Sequence, residues 1–330
     1  MLTMVSFPKG RIFLASTASK CVLVYDVGGS HISAAACFAD GFKLGPLVRA
    51  GLPEQQTSDA FVDTLYSLAQ KADPDLTSVE GAELAMPGPF DYARGISFMR
   101  HKFPYLFEVP LASRISERFG WQPRQVRFLN DAAAYLLGEV GAGAARGISR
   151  AVGITLGTGV GSAFAVDGHI VTEGQGVPLG GEIWNIPYNG GIVEDLISTR
   201  GLQNSYKDRT GQQREVASIA HYANGGEVTA CEVFEEFGTN LGLALRHLLA
   251  DFNPNVVVIG GGISRSANLF MPDATRALDG MGVELRTSKL GDNAALVGAG
   301  VAWFAQSVTK AAPSTPLDPA GVNATVDAHL

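Results

Sequence analysis

The sequence carries the same short pattern twice, and this repeat limits the folds that the chain can adopt. Residues 22–41 contain an apolar run, a glycine turn and a second run of small apolar residues that ends in Asp40-Gly41. Residues 151–168 repeat this order and end in Asp167-Gly168. Each copy is typical of a buried strand joined by a tight turn to a second strand. A unit that returns about one domain length later predicts two similar domains that face each other.

Composition and charge exclude several classes of protein. The chain has 330 residues, 46% of them hydrophobic and 17% charged, which is enough for two domains with substantial cores. Its net charge of −7 argues against a nucleic-acid surface, because phosphate binding needs clustered Lys and Arg. No apolar stretch is long enough to span a membrane. Three scattered cysteines, Cys21, Cys37 and Cys231, form neither a metal motif nor a disulfide framework, which favours a reducing, cytoplasmic location.

Both ends of the chain differ in character from the rest. Residues 1–20 place Lys9 and Arg11 before a short apolar run. That run is too short for a secretory signal, so we interpret the segment as an N-terminal extension. Residues 307–330 are rich in Pro, Ala and Thr and show little periodicity. We expect them to form a flexible tail.

Between these ends, strand and helix patterns alternate. Apolar runs after the first hairpin predict strands at 45–51, 81–86, 126–129, 169–173, 256–259 and 283–286. Helical spacing, with capping residues and prolines at the ends, predicts helices at 57–71, 110–119, 132–140, 192–198, 218–223, 229–252, 268–278 and 293–306. Residues 92–108 are irregular and rich in aromatic residues. This alternation predicts an α/β fold.

The first glycine turn exposes backbone N–H groups that suit anionic oxygens, which makes Gly28, Gly29 and Ser30 candidate phosphate ligands. Asp26 stands at the strand end beside them. An acid there would repel phosphate unless a cation lay between, so Asp26 is a candidate for holding hydrated Mg²⁺. The second copy has Thr155 at the matching position, so only the first turn brings a carboxylate. The alternative for each turn is an ordinary hairpin.

Two further glycine-rich turns are candidates for nucleotide binding. The second hairpin turn would offer only backbone donors to phosphate, from Gly157, Thr158 and Gly159. A run of three glycines follows a strand of β-branched residues, at Gly260, Gly261 and Gly262. Without side chains, this run would let a flat group such as a nucleoside approach the backbone. A tight strand–helix turn is the alternative, but such a turn hardly needs three glycines.

Asp131 follows a buried strand and opens a helix. Capping the helix is the commonest role of Asp at such a position. The functional alternative is a general base that points into a cleft, with Asn130 beside it as donor and acceptor for a hydroxyl. Phosphoryl transfer needs positioning, charge neutralisation and one group to take a proton. Asn130, Asp131 and the Asp26 turn would supply these parts.

Glu182, Asn185 and Glu194 lie in or just after a glycine-rich passage. Two carboxylates and an amide suit a polyhydroxylated ligand, because ionised carboxylates accept hydrogen bonds from several hydroxyls. The alternative for Glu182 is a solvent-facing loop position. The alternative for Glu194 is an exposed acid in the first turn of a helix.

Taken in order, these motifs resemble those of the ROK sugar kinases (repressor, open reading frame, kinase), which share the actin-like fold of sugar kinases and heat-shock-protein ATPases. The resemblance covers residues 22–306. It rests on five segments: the turn at 26–30, where the family more often ends in Thr than in Ser; the Pro-Gly-Pro turn at 87–89; Asn130-Asp131 continuing to Gly138-Glu139; the turn at 156–161; and the glycine run at 258–262.

The resemblance implies two actin-like, ribonuclease H-like domains around an interdomain cleft. They would be residues 21–129, to which helix 293–306 would return, and residues 130–292. It also implies phosphorylation of a hexose by ATP with Mg²⁺, with glucose as the expected substrate, Asp131 as general base, and a homodimer. The implied sugar contacts come from Gly88, Asn130, Asp131, Glu182, Asn185 and Glu194.

One segment departs from the family pattern. The family usually has Gly-Glu-Ile-Gly-His, followed by a cysteine cluster that binds zinc together with the His, whereas this chain has Gly-Glu-Ile-Trp-Asn at 181–185. No cysteine lies between Cys37 and Cys231, so we expect no structural zinc. Trp184 is expected to fill the missing volume. Asn185 can still donate to a sugar hydroxyl but cannot titrate, which leaves the identity of the sugar open.

Other functions stay open beside this interpretation. The sugar could be fructose, mannose or an N-acetyl sugar, and polyphosphate could replace ATP, although the sequence has no long basic track. A regulator would carry a winged helix before the first strand, and about 20 residues are too few for such a domain. An inactive sugar sensor is disfavoured by Asp26 and Asp131, and an actin-like assembly protein would leave Glu182 and Glu194 unexplained.

Overall fold

The computed structural model describes residues 20–311, except 54, 74, 75 and 101 and the side chains of 77 and 306–311. The extension predicted at 1–20 lies outside the described residues except for Lys20, and so does the predicted tail beyond Ala311. No helix in this described part combines the length and the apolar character that crossing a bilayer requires.

Strands and helices alternate along the chain, as the α/β prediction requires. The strands are β1 Cys21–Val27, β2 His31–Phe38, β3 Lys43–Leu44, β4 Val48–Gly51, β5 Val79–Met86, β6 Phe90–Asp91, β7 Ile96–Ser97, β8 Val126–Asn130, β9 Arg150–Leu156, β10 Val160–Val166, β11 His169–Val171, β12 Pro187–Tyr188, β13 Gly191–Ile192, β14 Val256–Gly260 and β15 Glu284–Thr287. The α-helices are α1 Ser58–Ala72, α2 Leu111–Phe119, α3 Asp131–Ala142, α4 Val193–Leu196, α5 Thr199–Thr210, α6 Val216–Asn224, α7 Val228–Leu249, α8 Met271–Ala277 and α9 Ala294–Ala311.

Both copies of the repeated pattern form hairpins. Strands β1 and β2 pair antiparallel around the first glycine turn, and β9 and β10 pair in the same way around the second. The Asp167-Gly168 pair that ends the second copy turns the chain toward β11, and both residues have positive φ. Two positive φ values are typical of the type I′ turn, whose twist matches that of the flanking strands.

The two hairpins belong to separate sheets. The first sheet has the order β3-β2-β1-β5-β8, with β4 also paired to β2, and the second has the order β11-β10-β9-β14-β15. Strands β1, β5 and β8 run parallel, and so do β9, β14 and β15. Each sheet therefore gathers the carboxyl ends of three strands along one edge, where α/β proteins commonly bind ligands.

Each sheet buries one face under helices of its own. Phe61 of α1 and Leu111 of α2 belong to the apolar core on the first sheet, and Phe234 and Leu241 of α7 belong to the core on the second. Burying a side chain of this size stabilises the fold by about 1.5–3 kcal/mol.

Helices α3 and α9 cover the remaining faces and contact each other. Leu136 of α3 packs on the second sheet, whereas Leu296 and Trp303 of α9 pack on the first. Where the helices meet, a Cβ at Gly298 would overlap the carbonyl oxygen of Ala134, so glycine permits this close approach. The exact division into domains at 129/130 stays a prediction.

Some elements differ from the sequence predictions. The patterns do not predict α5, because its sequence is polar and only two of its 12 residues are buried. The helix predicted at 268–278 is split: residues 262–269 form 3-10 turns, and α8 begins at Met271 with Pro272 in its first turn. The strand predicted at 45–51 is shortened to 48–51, since Pro46 cannot donate to a strand ladder. Helix α9 continues to Ala311, so residues 307–311, predicted in the tail, are helical.

Candidate active site

The carboxyl ends of neighbouring parallel strands bring the first group of predicted residues together. Asp26, near the end of β1, is paired with Ala85 of β5, and Met86, at the end of β5, is paired with Asn130 of β8. Asp131 follows β8 directly and opens α3. The sheet thus places Asp26, the turn after Met86, and Asn130-Asp131 side by side along one edge.

Asp131 lies half-buried at the start of α3. Its Oδ1 accepts a hydrogen bond from the N–H of Ala132 at 2.8 Å. Burial raises the pKa of this carboxyl, the bond from Ala132 and the Lys102 ammonium lower it, and the Glu182 carboxylate raises it. A carboxylate made more basic by its surroundings is suited to accept a proton from a hydroxyl.

Asn130, and not Asp131, caps the helix. Its Oδ1 accepts from the N–H of Ala133 at 3.0 Å, and its Nδ2 donates to the hydroxyl of Tyr92 at 3.2 Å. The Tyr92 hydroxyl donates in turn to the carbonyl oxygen of Met86 at 3.2 Å. A Cβ at Gly88 would lie 3.5 Å from the same hydroxyl. Tyr92 therefore ties Asn130 to the turn after β5, and nothing in the spacing of its irregular segment distinguishes it from other aromatic residues there.

Asp26 is half-buried, and its carboxyl makes no hydrogen bond with the residues that the structure describes. Burial raises its pKa to about 6, with further raising by Asp131 and Asp292 and lowering by Arg49. The Arg49 guanidinium itself donates to the Ser33 hydroxyl at 3.1 Å. The Asp131 carboxylate thus raises the pKa of Asp26 across the same edge of the sheet.

The surroundings of Asp26 fit a hydrated Mg²⁺. This ion binds proteins through one or two carboxylates and keeps several of its waters. Asp26 offers an unpaired carboxyl in a partly desolvated position, and a cation there would relieve the raised pKa. Among the described residues, no group of three or more His, Cys, Asp or Glu is placed to hold a metal ion.

The two hairpin turns use one N–H each to close themselves. The N–H of Gly28 donates to the carbonyl of His31 at 3.0 Å, and that of Gly157 donates to the carbonyl of Gly159 at 3.0 Å. The Ser30 hydroxyl lies 3.1 Å from Nδ1 of His31. Among the predicted phosphate ligands, the N–H groups of Gly29, Ser30, Thr158 and Gly159 have no partner within the described range.

Two glycines of the run after β14, which the sequence predicts as a nucleoside site, are needed for packing inside the protein. A Cβ at Gly260 would lie 2.6 Å from the hydroxyl oxygen of Tyr135, and one at Gly261, where φ is +81°, would overlap the backbone of Leu156. Only Gly262 has open space at its Cβ position. Two of the three glycines are therefore required by the fold itself, and Gly262 is the one that leaves room for a ligand.

The sugar-facing acids occupy different environments. Glu182 is exposed, and its Oε2 accepts from the indole N–H of Trp184 at 3.0 Å. Glu194 is half-buried, and its Oε2 accepts from the N–H of Val160 at 3.0 Å. Asn185 is exposed. Trp184 is 39% exposed, and its indole N–H orients Glu182; that it fills the volume of the missing zinc segment stays a prediction.

Comparison with known proteins places these features in one family. The sequence model of the ROK family matches residues 22–307. A glucokinase from Thermotoga maritima is 29% identical over 279 residues, which cover 77% of this chain and 86% of that protein. An N-acetyl-D-glucosamine kinase from Photobacterium profundum is 27% identical over 266 residues, which cover 74% of this chain and 85% of that protein.

A solved structure shows the same architecture. The ROK family glucokinase from Streptomyces griseus, in complex with glucose and AMPPNP, matches with a TM-score of 0.69 at 24% identity, covering 84% of this chain and 97% of that one. The predicted α/β, actin-like fold is thereby confirmed. With the family match extending over nearly all the described residues, the chain belongs to the ROK family.

Proposed function

We propose that this protein is a kinase that transfers the γ-phosphoryl group of ATP to a hydroxyl of a hexose, with glucose as the expected acceptor. The observation that carries the proposal is the placement of two half-buried carboxyls, Asp26 and Asp131, at the ends of parallel strands of one sheet. The curated relatives that phosphorylate sugars, and the complex of a family member with glucose and AMPPNP, support it.

Asp131 would act as the general base. The N–H of Ala132 fixes its Oδ1, which leaves Oδ2 to take the proton of the attacking hydroxyl. As the hydroxyl oxygen bonds to the γ-phosphorus, the bond from phosphorus to the bridging oxygen breaks and ADP leaves. Positioning and charge neutralisation supply most of the acceleration in phosphoryl transfer, and proton removal by a placed base contributes about 10²–10⁴-fold.

Asp26 and the two glycine turns would hold the nucleotide. Mg²⁺, when bound, neutralises the phosphate oxygens, and Asp26 would hold it through its water shell. The free N–H groups of the turns at 28–30 and 157–159 would donate to phosphate oxygens, and the open face of Gly262 would admit the nucleoside.

Asn130, Glu182, Asn185 and Glu194 would bind the sugar hydroxyls, beside the turn that contains Gly88. Asn130 still has one amide hydrogen to donate after capping α3 and contacting Tyr92. Glu182 keeps one carboxylate oxygen free when Trp184 holds the other. An N-acetyl hexosamine is the second candidate acceptor, because one of the relatives is an N-acetyl-D-glucosamine kinase. A homodimer and a cytoplasmic location stay predictions.

The test is a direct assay of sugar phosphate formation over a panel of hexoses and N-acetyl hexosamines, with ATP and polyphosphate run side by side in Mg²⁺. We expect ATP-dependent turnover of glucose and its loss in Asp131→Ala. Asp59→Asn, which changes an exposed acid paired with Arg114, is the matched control and should keep the activity. Absence of turnover on every sugar would contradict the proposal and favour a sugar-sensing role. Full activity in Asp131→Ala would contradict the assignment of Asp131 as the general base.

A further inference from the structure

Glu194 connects two parts of the site that the sequence treats as separate. The sequence predicts Glu194 only as a sugar ligand, yet its Oε2 accepts a hydrogen bond at 3.0 Å from the N–H of Val160, the residue that follows the second glycine turn. A Cβ at Gly159 would lie 2.7 Å from the same oxygen, so a side chain at 159 would displace the carboxylate. The glycine in this turn therefore makes room for Glu194.

The segment around Glu194 is attached to the turn at a second point. The N–H of Thr199, at the start of α5, donates to the carbonyl of Gly157 at 2.8 Å. Together with the bond to Val160, this contact holds both sides of the 157–159 turn against the α4–α5 segment. A shift of that segment would move the backbone donors that we assign to phosphate.

Glu194 is also connected, through Trp184, to Glu182, the other acid predicted to face the sugar. The N–H of Glu194 donates to the carbonyl of Trp184 at 3.0 Å, and the indole of Trp184 donates to Glu182 at 3.0 Å. A continuous series of hydrogen bonds thus leads from Glu182 through Trp184 and Glu194 to the second glycine turn. Neighbours joined in this way can transmit a binding event, provided that the connection has more than one state.

The free oxygen of Glu194 is the element that a sugar could control. Its Oε1 makes no hydrogen bond with any residue in the described part of the chain. A half-buried carboxylate with one free oxygen can accept a hydrogen bond from a hydroxyl while its other oxygen keeps the bond from the N–H of Val160. This hydrogen bond would restrict rotation of the carboxylate and thereby fix the 157–159 turn that is bonded to it. The entropy cost of ordering the turn would then be met before the nucleotide binds.

We propose that Glu194 couples the two substrates, so that a hexose bound at Oε1 orders the second glycine turn and raises the affinity for the nucleotide. The proposal rests on the proposed function, because it takes the hexose as the ligand of Oε1. Coupling of this kind is reciprocal: the nucleotide must raise the affinity for the hexose by the same factor. We expect a factor on the order of tenfold, within the usual range of couplings between sites.

The experiment measures the Kd of MgAMPPNP by calorimetry with and without saturating glucose, or whichever panel sugar is turned over. The ratio of the two values is the coupling factor, and the Kd of the sugar with and without MgAMPPNP checks its reciprocity. Glu194→Ala removes both contacts of the carboxylate, and Glu194→Gln tests whether an amide of the same shape keeps them. Gly159→Ala pushes the carboxylate away from Val160 and leaves its chemistry unchanged.

Gly157→Ala is the matched control, because it adds the same methyl group to the same turn. Its Cβ would have only the Gly159 carbonyl within range, at 4.0 Å, and no contact with Glu194. We expect the coupling factor to survive in Gly157→Ala, whatever happens to the nucleotide Kd itself, and to fall toward one in Glu194→Ala and Gly159→Ala. A merely structural role would weaken nucleotide binding equally with and without sugar.

The outcomes separate the two proposals. A wild-type enzyme that phosphorylates a hexose but shows a coupling factor of one contradicts the coupling alone, as does an unchanged factor in Glu194→Ala and Gly159→Ala. A wild-type chain that binds and phosphorylates no hexose contradicts the proposed function and the coupling with it. Thermal unfolding of each variant identifies any that fails to fold, and the variant that folds then decides between the outcomes.

Discussion

The rate of phosphoryl transfer should fall steeply on the acid side of neutrality, because Asp26 must be ionised to hold a hydrated Mg²⁺. Its pKa is raised from 3.8 to about 6, chiefly by burial and then by Asp131. That rise means that the site disfavours the ionised form by roughly 3 kcal/mol. Removing the carboxylate charge by acidification or by Asp26→Asn is the perturbation.

The size of the effect follows from the position of the pKa. With a pKa of about 6, about nine in ten molecules carry ionised Asp26 at pH 7 and about one in ten at pH 5. Asp26 alone should therefore lower kcat/KM for MgATP about tenfold over that interval. Asp131 must also be ionised to act as base, and its pKa is raised as well. Because acidification protonates both carboxylates, the slope of log kcat/KM against pH should exceed one.

Varying the Mg²⁺ concentration distinguishes the effect of protonating Asp26 from that of protonating Asp131. The metal competes with the proton for Asp26, so high Mg²⁺ should shift the acid limb of the pH–rate profile, where the rate falls, to lower pH. Protonation of Asp131 should depend less on the Mg²⁺ concentration. The assay follows transfer of ³²P from ATP to the sugar, which avoids coupling enzymes with pH limits of their own. Asp292→Asn is the matched control, since Asp292 also raises the pKa of Asp26 and should shift the limb only slightly.

Two results would refute this reasoning. One is a profile that stays flat between about pH 7 and pH 5, which would mean that neither carboxyl must lose a proton in the catalytic range. The other is an acid limb that does not respond to Mg²⁺, because Asp26 would then not be the group that holds the metal.

Three further predictions concern residues around the site. Glu83 is buried, its Oε2 has no hydrogen-bond partner among the described residues, and burial raises its pKa to about 8. The stability that its protonated form allows is complete at acid pH and is lost as the pH rises from 4.5 through 8, so urea unfolding should show Glu83→Gln gaining on the wild type by up to roughly 5 kcal/mol above that pH. Tyr92→Phe breaks the link between Asn130 and Met86 and should lower kcat/KM for the sugar by about tenfold, leaving KM for ATP unchanged. Gly260→Ala should cost about 1–3 kcal/mol in unfolding experiments through its clash with a tyrosine ring, whereas Gly262→Ala should keep stability and weaken only nucleotide binding.

Much of the scaffold could be predicted from local patterns. The two hairpins follow from apolar runs around glycine turns, and the α/β alternation follows from strand runs and helical periodicity. Placement of Asp26 and Asn130-Asp131 on one edge follows once β1 and β8 are parallel members of one sheet. Helix α5 could not be found in this way, because its exposed surface is polar and only Leu202 and Tyr206 carry its apolar face.

The contacts that could not be predicted join residues far apart in the sequence. The bond from Val160 to Glu194 spans 34 positions, and that from Asn130 to Tyr92 spans 38. The overlap of Gly260 with Tyr135 explains a glycine that the sequence alone assigns to a ligand. Such pairings depend on how helices lie across sheets, and no local period encodes them.

The central claim, that Asp131 takes the proton of a hexose hydroxyl, is tested most directly by single-turnover transfer from ATP in Asp131→Asn. Asparagine keeps the size of the side chain and an oxygen for the Ala132 N–H, but it cannot accept the proton. We predict that the rate constant of transfer falls by about 10²–10⁴-fold while the Kd values of glucose and MgAMPPNP change little. A transfer rate within about twofold of the wild type, with both substrates bound, would contradict the account.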